Sequence, residues 1–272
     1  MEHSLKIRAI AIDLDGTLLT STKIITDRTI ATLAKVMEQG IKVSIATGRS
    51  LDTAIRFIRQ VGTPFPAVCY NGSCIYDPVT GQDLWHITLE RNICEDIVRI
   101  SGKVASHLHV FMDHTLYFTE KGRHADYLEP LSSQLGKTID FFTMDDMRFT
   151  KAMFIGDPKE TAVIGAQLKE KYGDSLHLVY SHPDYFEIMT GGATKGSALA
   201  RLMSMYHITS DQVLAFGDAD NDKEMLSWAR YGIAMGNSHE SVKSVAAGIA
   251  GHNDADGVAE KIEELFGFPL YA

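Results

Sequence analysis

The sequence predicts an α/β protein, with a Rossmann-like parallel-sheet core interrupted by an inserted α+β module. The first third of the chain alternates short apolar runs with amphipathic stretches, which is the order of parallel strands joined by right-handed helical crossovers. The alternation resumes from Lys195 onward, whereas strand-like pieces outnumber helix-like ones in the middle third. We therefore expect a core made of residues 1–81 and 190–272, with the insertion at residues 82–189.

The first part of the core begins with an apolar run, residues 7–12, that predicts a buried central strand. Helical spacing of apolar residues follows over 27–39, with Thr26 as a plausible N-cap and Gly40 just past the end. The remaining predicted elements are strands at 41–46 and 66–70 and a helix at 51–61.

The middle third predicts an antiparallel sheet, because its strand-like pieces are joined by short connections. Met112-Asp113-His114-Thr115 is the candidate hairpin turn. The predicted strands cover 84–89, 108–112, 116–119, 139–142 and 152–155, and the predicted helices cover 92–106 and 160–172. In the last part of the core we expect helices at 196–206, 222–229, 238–247 and 257–266 and strands at 212–216 and 231–235.

Composition narrows the class of protein. The net charge is −9, with 26 basic against 35 acidic residues, which argues against nucleic acid or an anionic membrane as a partner. No apolar stretch approaches the ~20 residues needed to span a bilayer. The first residues lack the features of a signal peptide, and the three cysteines show no paired spacing. We expect a cytoplasmic protein.

The strongest local signal is Asp13-Leu14-Asp15-Gly16-Thr17, directly after the first predicted strand. Two carboxylates at positions i and i+2 leave the strand end, where α/β proteins build their sites. Gly16 permits a sharp departure of the chain. An ordinary Asp-Gly turn is a serious alternative for this motif alone. The polar groups that follow later strands indicate whether the motif is part of a site.

Three later groups fall where core strands end or a core helix begins. Thr47 closes the second strand and offers its hydroxyl and its backbone N–H to an oxyanion such as phosphate, although a threonine there is usually structural. Lys195 precedes a helix and can neutralise phosphate, or can be a solvated loop residue. The segment 217–222 crowds three acidic side chains into one turn, which favours a bound cation over a simple capping loop. Mg²⁺ suits such oxygen ligands.

Taken in this order, these groups resemble the four motifs of the haloacid dehalogenase superfamily, and in particular its Cof-type branch of small-molecule phosphatases. Asp13 to Thr17 matches the D-x-D-G-T motif, Thr47 lies in Ala-Thr-Gly-Arg, and residues 217–222 match G-D-x-x-N-D. The lysine of the superfamily is matched by Lys195. The branch's Asn-Gly, Ala-Met-Gly-Asn and Asp-Gly-Val are found at residues 71–72, 234–237 and 256–258.

The resemblance implies a role for each matching residue. Asp13 would be the nucleophile that forms an aspartyl-phosphate, and Asp15 would be the general acid and base. Mg²⁺ would be held by the side chains of Asp13 and Asp218 and by the backbone carbonyl of Asp15. Asp222 would orient Lys195 or metal-bound water. The phosphate-binding residues would be Thr47, Gly48, Lys195 and Asn221.

The function that follows is a Mg²⁺-dependent phosphatase acting on a small phosphorylated metabolite, with sugar phosphates as the expected class. The insertion would be a cap that selects the substrate. A sugar phosphomutase shares these motifs, and a non-catalytic ligand-sensing protein on the same scaffold is a further alternative. The oligomeric state is not predicted from the sequence.

Overall fold

The computed structural model describes residues 6–120 and 136–267. The described residues divide into two compact units. The first takes in the chain up to residue 49, residues 56–84, and the chain from residue 194 onward. The second takes in residues 50–55 and 85–193.

The first unit is built on a five-stranded parallel sheet. Its strands, numbered in chain order over the whole protein, are β1 (Ala9–Ile12), β2 (Lys42–Ile45), β12 (Val213–Gly217), β13 (Tyr231–Ala234) and β14 (Gly248–Ile249). They lie in the order β14-β13-β12-β1-β2. The central strand β1 is apolar and fully buried, as expected of an interior strand in a parallel sheet whose faces are covered by helices.

Helices surround this sheet, as parallel crossovers require. Those of the first unit are α1 (Asp27–Glu38), α5 (Lys195–Met205), α6 (Lys223–Trp228), α7 (Glu240–Lys243) and α8 (Gly257–Phe266), and α2 (Leu51–Val61) spans the limit between the units. The Thr26 side chain caps α1 by accepting from the backbone N–H of Thr29. A small sheet of order β3-β4-β5 comprises β3 (Ala67–Cys69), β4 (Cys74–Asp77) and β5 (Gln82–His86).

The second unit is a six-stranded sheet covered by two helices. Its strands are β6 (His107–Met112), β7 (Thr115–Phe118), β8 (Lys137–Thr138), β9 (Lys151–Ile155), β10 (Leu176–His182) and β11 (Tyr185–Thr190), in the order β10-β11-β9-β6-β7-β8. Neighbours are antiparallel except β7 and β8. Helices α3 (Arg91–Ser101) and α4 (Pro158–Tyr172) contribute Ile97 and Leu168 to an apolar core with Leu108, Phe154 and Phe186.

The predicted fold class is confirmed: a parallel α/β core sheet and an α+β module with a mainly antiparallel sheet. The hairpin at Asp113 and His114 is present, with φ of 44° and 61° at these residues, which is the pattern of a tight two-residue turn. No helix within residues 6–120 and 136–267 has the length and hydropathy needed to cross a membrane.

Several predicted elements were wrong in detail. The strand predicted at 139–142 is instead a 3₁₀ turn at Phe141–Thr143, because the Asp140 side chain accepts from the Phe142 N–H. The helix predicted to 106 ends at Ser101, before Gly102. The helix predicted at 238–247 is reduced to α7, and the chain forms β14 after it. Strands β10 and β11 were not predicted.

A buried carboxylate ties the last helix of the core to the first. Glu263 on α8 is 2% exposed and accepts from Arg28 Nη2 at 2.7 Å and from Thr32 Oγ1 at 2.7 Å, both on α1. The hydrogen bond from Arg28 is the main reason that the pKa of Glu263 is lowered, with Thr32 adding to the effect. Helices α1 and α8 therefore pack through a charged contact that needs the ionised carboxyl.

We expect Glu263→Gln to lower the free energy of unfolding at pH 7 by about 1–3 kcal/mol, since it removes charge-assisted hydrogen bonds from a buried site. Because the pKa of Glu263 is lower in the folded state than in the unfolded state, its ionised carboxyl stabilises the folded protein at pH values above about 4.3. This stabilisation is lost as the pH falls through the folded-state pKa. The difference between variant and wild type should therefore narrow below about pH 4.

Urea unfolding at pH 7 and pH 3.5 measures both effects. The matched control is Glu264→Gln on the same helix, because Glu264 is 64% exposed and bonds Lys261 at the surface. It should change stability by less than about 1 kcal/mol. An equal loss in the two variants at pH 7 would show that the contact of Glu263 with α1 is not special.

Candidate active site

Three neighbouring strands deliver polar residues to one edge of the core sheet. Asp13 follows β1, Thr47 lies two residues beyond β2, and Asp218 follows β12. Since β12, β1 and β2 are adjacent and parallel, their carboxyl ends lie side by side. This is the edge at which open α/β sheets bind ligands.

The turn after β1 is held against the loop after β12. Gly16 has a φ of +76°, and a Cβ at this position would lie 2.3 Å from Asp218 Oδ2, so only glycine fits. Thr17 Oγ1 donates to Asp218 Oδ1 at 2.9 Å. Asn237 Nδ2 donates to the Gly16 carbonyl at 2.8 Å, and Asn237 Oδ1 accepts from the Asn253 N–H. The turn is therefore fixed from two sides.

Lys195 is the cation at the centre of the site. It is the first residue of α5, whose start is fixed by reciprocal hydrogen bonds between Thr194 and Ser197. Its Nζ lies 2.7 Å from Asp13 Oδ1 and 2.6 Å from Asp222 Oδ1, and the side chain is 2% exposed. One buried ammonium thus bridges the carboxylates that follow two different strands.

Carboxyl groups outnumber this cation. Ligand oxygens of Asp13, Asp218 and Asp222 lie within 4.8 Å of one another. Burial, opposed by Lys195 and reinforced by Asp222, raises the pKa of Asp13 well above its usual value. Burial and the Asp222 charge raise the pKa of Asp218 to about 6. Burial would lower the pKa of Lys195, but its two carboxylate partners outweigh that and raise it.

This donor set fits a small divalent cation. Asp222 has both oxygens engaged: Oδ1 accepts from Lys195, and Oδ2 accepts from the backbone N–H groups of Asp218 at 2.9 Å and Ala219 at 3.0 Å. Asp13 and Asp218 therefore supply the available carboxylate oxygens, which are hard ligands of the kind Mg²⁺ prefers. The predicted ligand set of Asp13, Asp15 and Asp218 stays a prediction.

Asp15 faces the opposite kind of environment. Arg49 binds its carboxylate with two hydrogen bonds, Nε at 2.5 Å and Nη2 at 2.7 Å, and Lys23 Nζ lies 2.8 Å from Oδ1. Burial acts to raise the pKa of Asp15, but the bonds from Arg49 and Lys23 prevail and lower it to about 2. The carboxyl group is therefore ionised at neutral pH.

The predicted phosphate-binding residues come from both sides of β1: Thr47 follows β2, and Asn221 lies in the loop after β12. The backbone N–H of Thr47 donates to the Val68 carbonyl at 2.9 Å, so the expectation that this N–H serves an oxyanion was wrong. The Thr47 hydroxyl oxygen accepts from the Arg49 N–H and keeps its own hydrogen to donate. Asn221 Nδ2 donates to Asn71 Oδ1 at 2.8 Å.

The Asn71 side chain, which accepts from Asn221, also lies close to Gly48. A Cβ at Gly48 would lie 2.8 Å from Asn71 Oδ1. The structure thus brings Asp13, Lys195, Asp218 and Asp222 into one cluster and links Gly48 to Asn221 through Asn71.

Sequence reasoning missed several residues of this region. The sequence analysis included Arg49 only as part of the Ala-Thr-Gly-Arg motif and gave it no role. Its two hydrogen bonds to Asp15 depend on the fold. Lys23 carries no sequence signal, because a lone lysine in a polar loop is normally solvated. Asn253, which donates to the Leu19 carbonyl at 2.8 Å, was not considered. The contact of Asn253 with Leu19 joins residues more than 200 positions apart, so no local pattern reveals it.

Comparison with known proteins agrees with this geometry. Residues 10–262 match the family model of haloacid dehalogenase-like hydrolases. The chain therefore belongs to this family, a class of hydrolases. A crystal structure of a haloacid dehalogenase-like hydrolase from Bacteroides thetaiotaomicron matches with a TM-score of 0.89 and 26% identity, over 96% of this chain and all of the other.

Two curated relatives carry more specific names. The chain is 29% identical to 5-amino-6-(5-phospho-D-ribitylamino)uracil phosphatase YitU of Bacillus subtilis, over 94% of this chain and 97% of the relative. It is also 29% identical to the HMP-PP phosphatase of Serratia proteamaculans, over 96% of each chain. Both relatives are named for the removal of phosphate from small molecules.

We expect Lys195→Met to destabilise the protein by about 3–5 kcal/mol at pH 8, because it leaves buried carboxylates without their cation. The loss should shrink as the pH falls, since protonation of Asp13 and Asp218, whose pKa values are raised by burial, relieves the repulsion among the carboxylates. Chemical unfolding from pH 5 to pH 8 without divalent cations measures this. A loss that does not change with pH would mean that packing of the lysine stem, not its charge, is what matters.

Proposed function

We propose that the protein is a Mg²⁺-dependent phosphatase that hydrolyses small phosphorylated metabolites, sugar phosphates among them, through an aspartyl-phosphate on Asp13. The observation that carries the proposal is the environment of Asp13. One of its oxygens is held by Lys195, in a buried cluster at the ligand-binding edge of the sheet. The two phosphatase relatives described above support the reaction class.

In the first step, an oxygen of Asp13 attacks phosphorus and the bond to the ester oxygen breaks. The nucleophile must be ionised, whereas burial raises its pKa. Lys195 favours the ionised form, because its ammonium lies 2.7 Å from Oδ1 and holds that oxygen in place. Because Oδ1 is held in place, the orientation of the other carboxylate oxygen of Asp13, Oδ2, is fixed as well.

Asp15 would give a proton to the departing ester oxygen and later take one from the water that hydrolyses the intermediate. The second role, accepting a proton from water, suits the ionised carboxylate of Asp15, which Arg49 and Lys23 stabilise. The first role needs a protonated carboxyl. We therefore propose that these two cations loosen their hold on Asp15 when a phosphate ester is bound.

The transferring phosphoryl group carries charge that fixed donors must stabilise. Lys195, the Thr47 hydroxyl, Gly48 and the Asn221 amide are the proposed donors. Mg²⁺, held by Asp13, Asp218 and the Asp15 carbonyl, would supply further charge neutralisation when bound. Asp222 holds Lys195 in position and accepts from the backbone of the Asp218 loop.

Two further assignments belong to this proposal. The inserted module, residues 82–189, is the proposed cap that selects among substrates. The proposed compartment is the cytoplasm, a reducing environment that suits three free, buried cysteines at positions 69, 74 and 94.

Asp13→Asn should abolish phosphate release from p-nitrophenyl phosphate, with a loss of about 10⁴-fold or more, since an amide is not a nucleophile. Asp15→Asn is the matched variant. Because p-nitrophenol leaves without much help from an acid, this variant should form the covalent intermediate and hydrolyse it slowly. Mass spectrometry of acid-quenched enzyme should show the phosphorylated chain in Asp15→Asn and not in Asp13→Asn.

Comparable turnover in wild type and Asp13→Asn would overturn the assignment of the nucleophile. Transfer of the phosphoryl group to another hydroxyl of the same sugar, without release of free phosphate, would identify a mutase instead.

Removal of divalent cations by a chelator should lower phosphate release by about 10²-fold or more, because the donor set around Asp13 is short of positive charge. Added Mg²⁺ should restore turnover, and Ca²⁺ should restore it poorly because it prefers longer bonds and more ligands. Far-UV circular dichroism of the chelated protein checks that the fold is kept. Full activity after chelation would contradict the proposal.

A further inference from the structure

Positive charge is in excess around Asp15. Two cations, Arg49 and Lys23, converge on this single carboxylate at 2.5–2.8 Å. The cluster around Lys195 has an excess of negative charge instead, because this one cation faces the carboxylates of Asp13 and Asp222. The two sides of the site therefore differ in sign, and one carboxylate does not account for two cations beside it.

Lys23 is held there by a strained backbone. It has a φ of 63°, a left-handed conformation that is uncommon for a residue other than glycine. A tight turn imposes it: the Lys23 N–H donates to the Thr20 carbonyl at 2.9 Å, and the Thr20 N–H donates to the Ile24 carbonyl at 3.0 Å. Strain that is maintained by surrounding structure is a reason to look for a function.

Solvent reaches this group of charges mainly at Lys23 and Asp15. The side chain of Lys23 is 52% exposed and that of Asp15 is 40% exposed, whereas Arg49 is 15% exposed. The Arg49 guanidinium rests over the Phe57 ring, 5.1 Å from its centroid. A dissolved anion can therefore reach Lys23, and the planar Arg49 guanidinium beside it is a group that suits carboxylates and phosphates.

We infer that Lys23 and Arg49 form an anion subsite on the leaving-group side of the site, and that the favoured substrates are phosphate esters whose alcohol part carries a second anionic group, a carboxylate or another phosphoryl. The inference rests on the proposed function, in which Asp15 contacts the ester oxygen. Any group bonded to that oxygen emerges next to the cations that bind Asp15.

Distances limit where the second anion lies. The ester oxygen is one hydrogen bond from Asp15, and each cation is one hydrogen bond from Asp15 on its own side. With hydrogen bonds of about 2.7–3.0 Å, an oxygen of the second anion lies about 4–8 Å from the ester oxygen. Three-carbon spacers cover this range. The substrate class is therefore compact and doubly anionic.

The test compares pairs of esters that differ in one anionic group. One pair is propyl phosphate and 1,3-propanediol bisphosphate, and the other is glycerol 3-phosphate and 3-phosphoglycerate. Phosphate release is measured for the wild type, Lys23→Gln and Lys261→Gln. Lys261 is the matched control, since its Nζ bonds Glu264 on the surface of α8 at 2.7 Å. The first pair tests a phosphoryl group and the second a carboxylate.

The wild type should have a kcat/KM about tenfold or more higher for the doubly anionic member of at least one pair, as expected of charge-assisted contacts. Lys23→Gln should reduce the ratio of kcat/KM between the doubly and singly anionic esters about tenfold, and Lys261→Gln should leave this ratio unchanged. The inference is overturned by the absence of a preference in the wild type. It is equally overturned if Lys23→Gln lowers kcat/KM for both members by one factor, since Lys23 would then act only on Asp15.

A binding measurement separates this inference from the proposed reaction. Calorimetry with Mg²⁺ compares propylphosphonate with propane-1,3-diphosphonate, which cannot be hydrolysed. Tighter binding of the diphosphonate by the wild type, lost in Lys23→Gln, supports the anion subsite. If the protein binds the diphosphonate in this way but hydrolyses no ester, the phosphatase proposal fails and the anion subsite stands. Equal binding of the two compounds by the wild type would overturn the subsite.

Discussion

The site depends on one buried ammonium that compensates several buried carboxylates. Isolated charges in a protein interior are costly, and a partner repays the cost only when the geometry is good. Lys195 meets Asp13 and Asp222 at 2.7 and 2.6 Å, and backbone N–H groups satisfy the remaining oxygen of Asp222. Three chain segments must therefore meet accurately, which also fixes the position of the Asp13 carboxylate.

The two aspartates of one short motif have been placed in opposite electrostatic environments. Asp13 lies among carboxylates, where burial raises its pKa, and Asp15 lies among cations, which lower its pKa to about 2. Gly16 allows this separation, because the chain turns with a φ that a side chain would disfavour and passes against Asp218. Two carboxyl groups only two residues apart acquire different pKa values when such a turn places them in different environments.

Local pattern determined most of the fold. Buried strands such as β1 and amphipathic helices such as α1 and α2 follow from periodicity and caps that each segment carries itself. The strand predicted at 139–142 failed because Asp140 forms a local hydrogen bond that competes with pairing. Strands β8 and β14 have two residues each, too few for a period, and exist because neighbouring strands offer pairing partners.

The sequence by itself determined the family resemblance and the identity of the residues that meet at the sheet edge, because strand ends of a parallel sheet converge by geometry. Only the tertiary structure decided how charge is divided among them. It engaged the Thr47 N–H in a bond to Val68, and it placed Lys23 and Arg49 on Asp15. Such contacts depend on loop conformation and side-chain direction, and neither composition nor spacing encodes them.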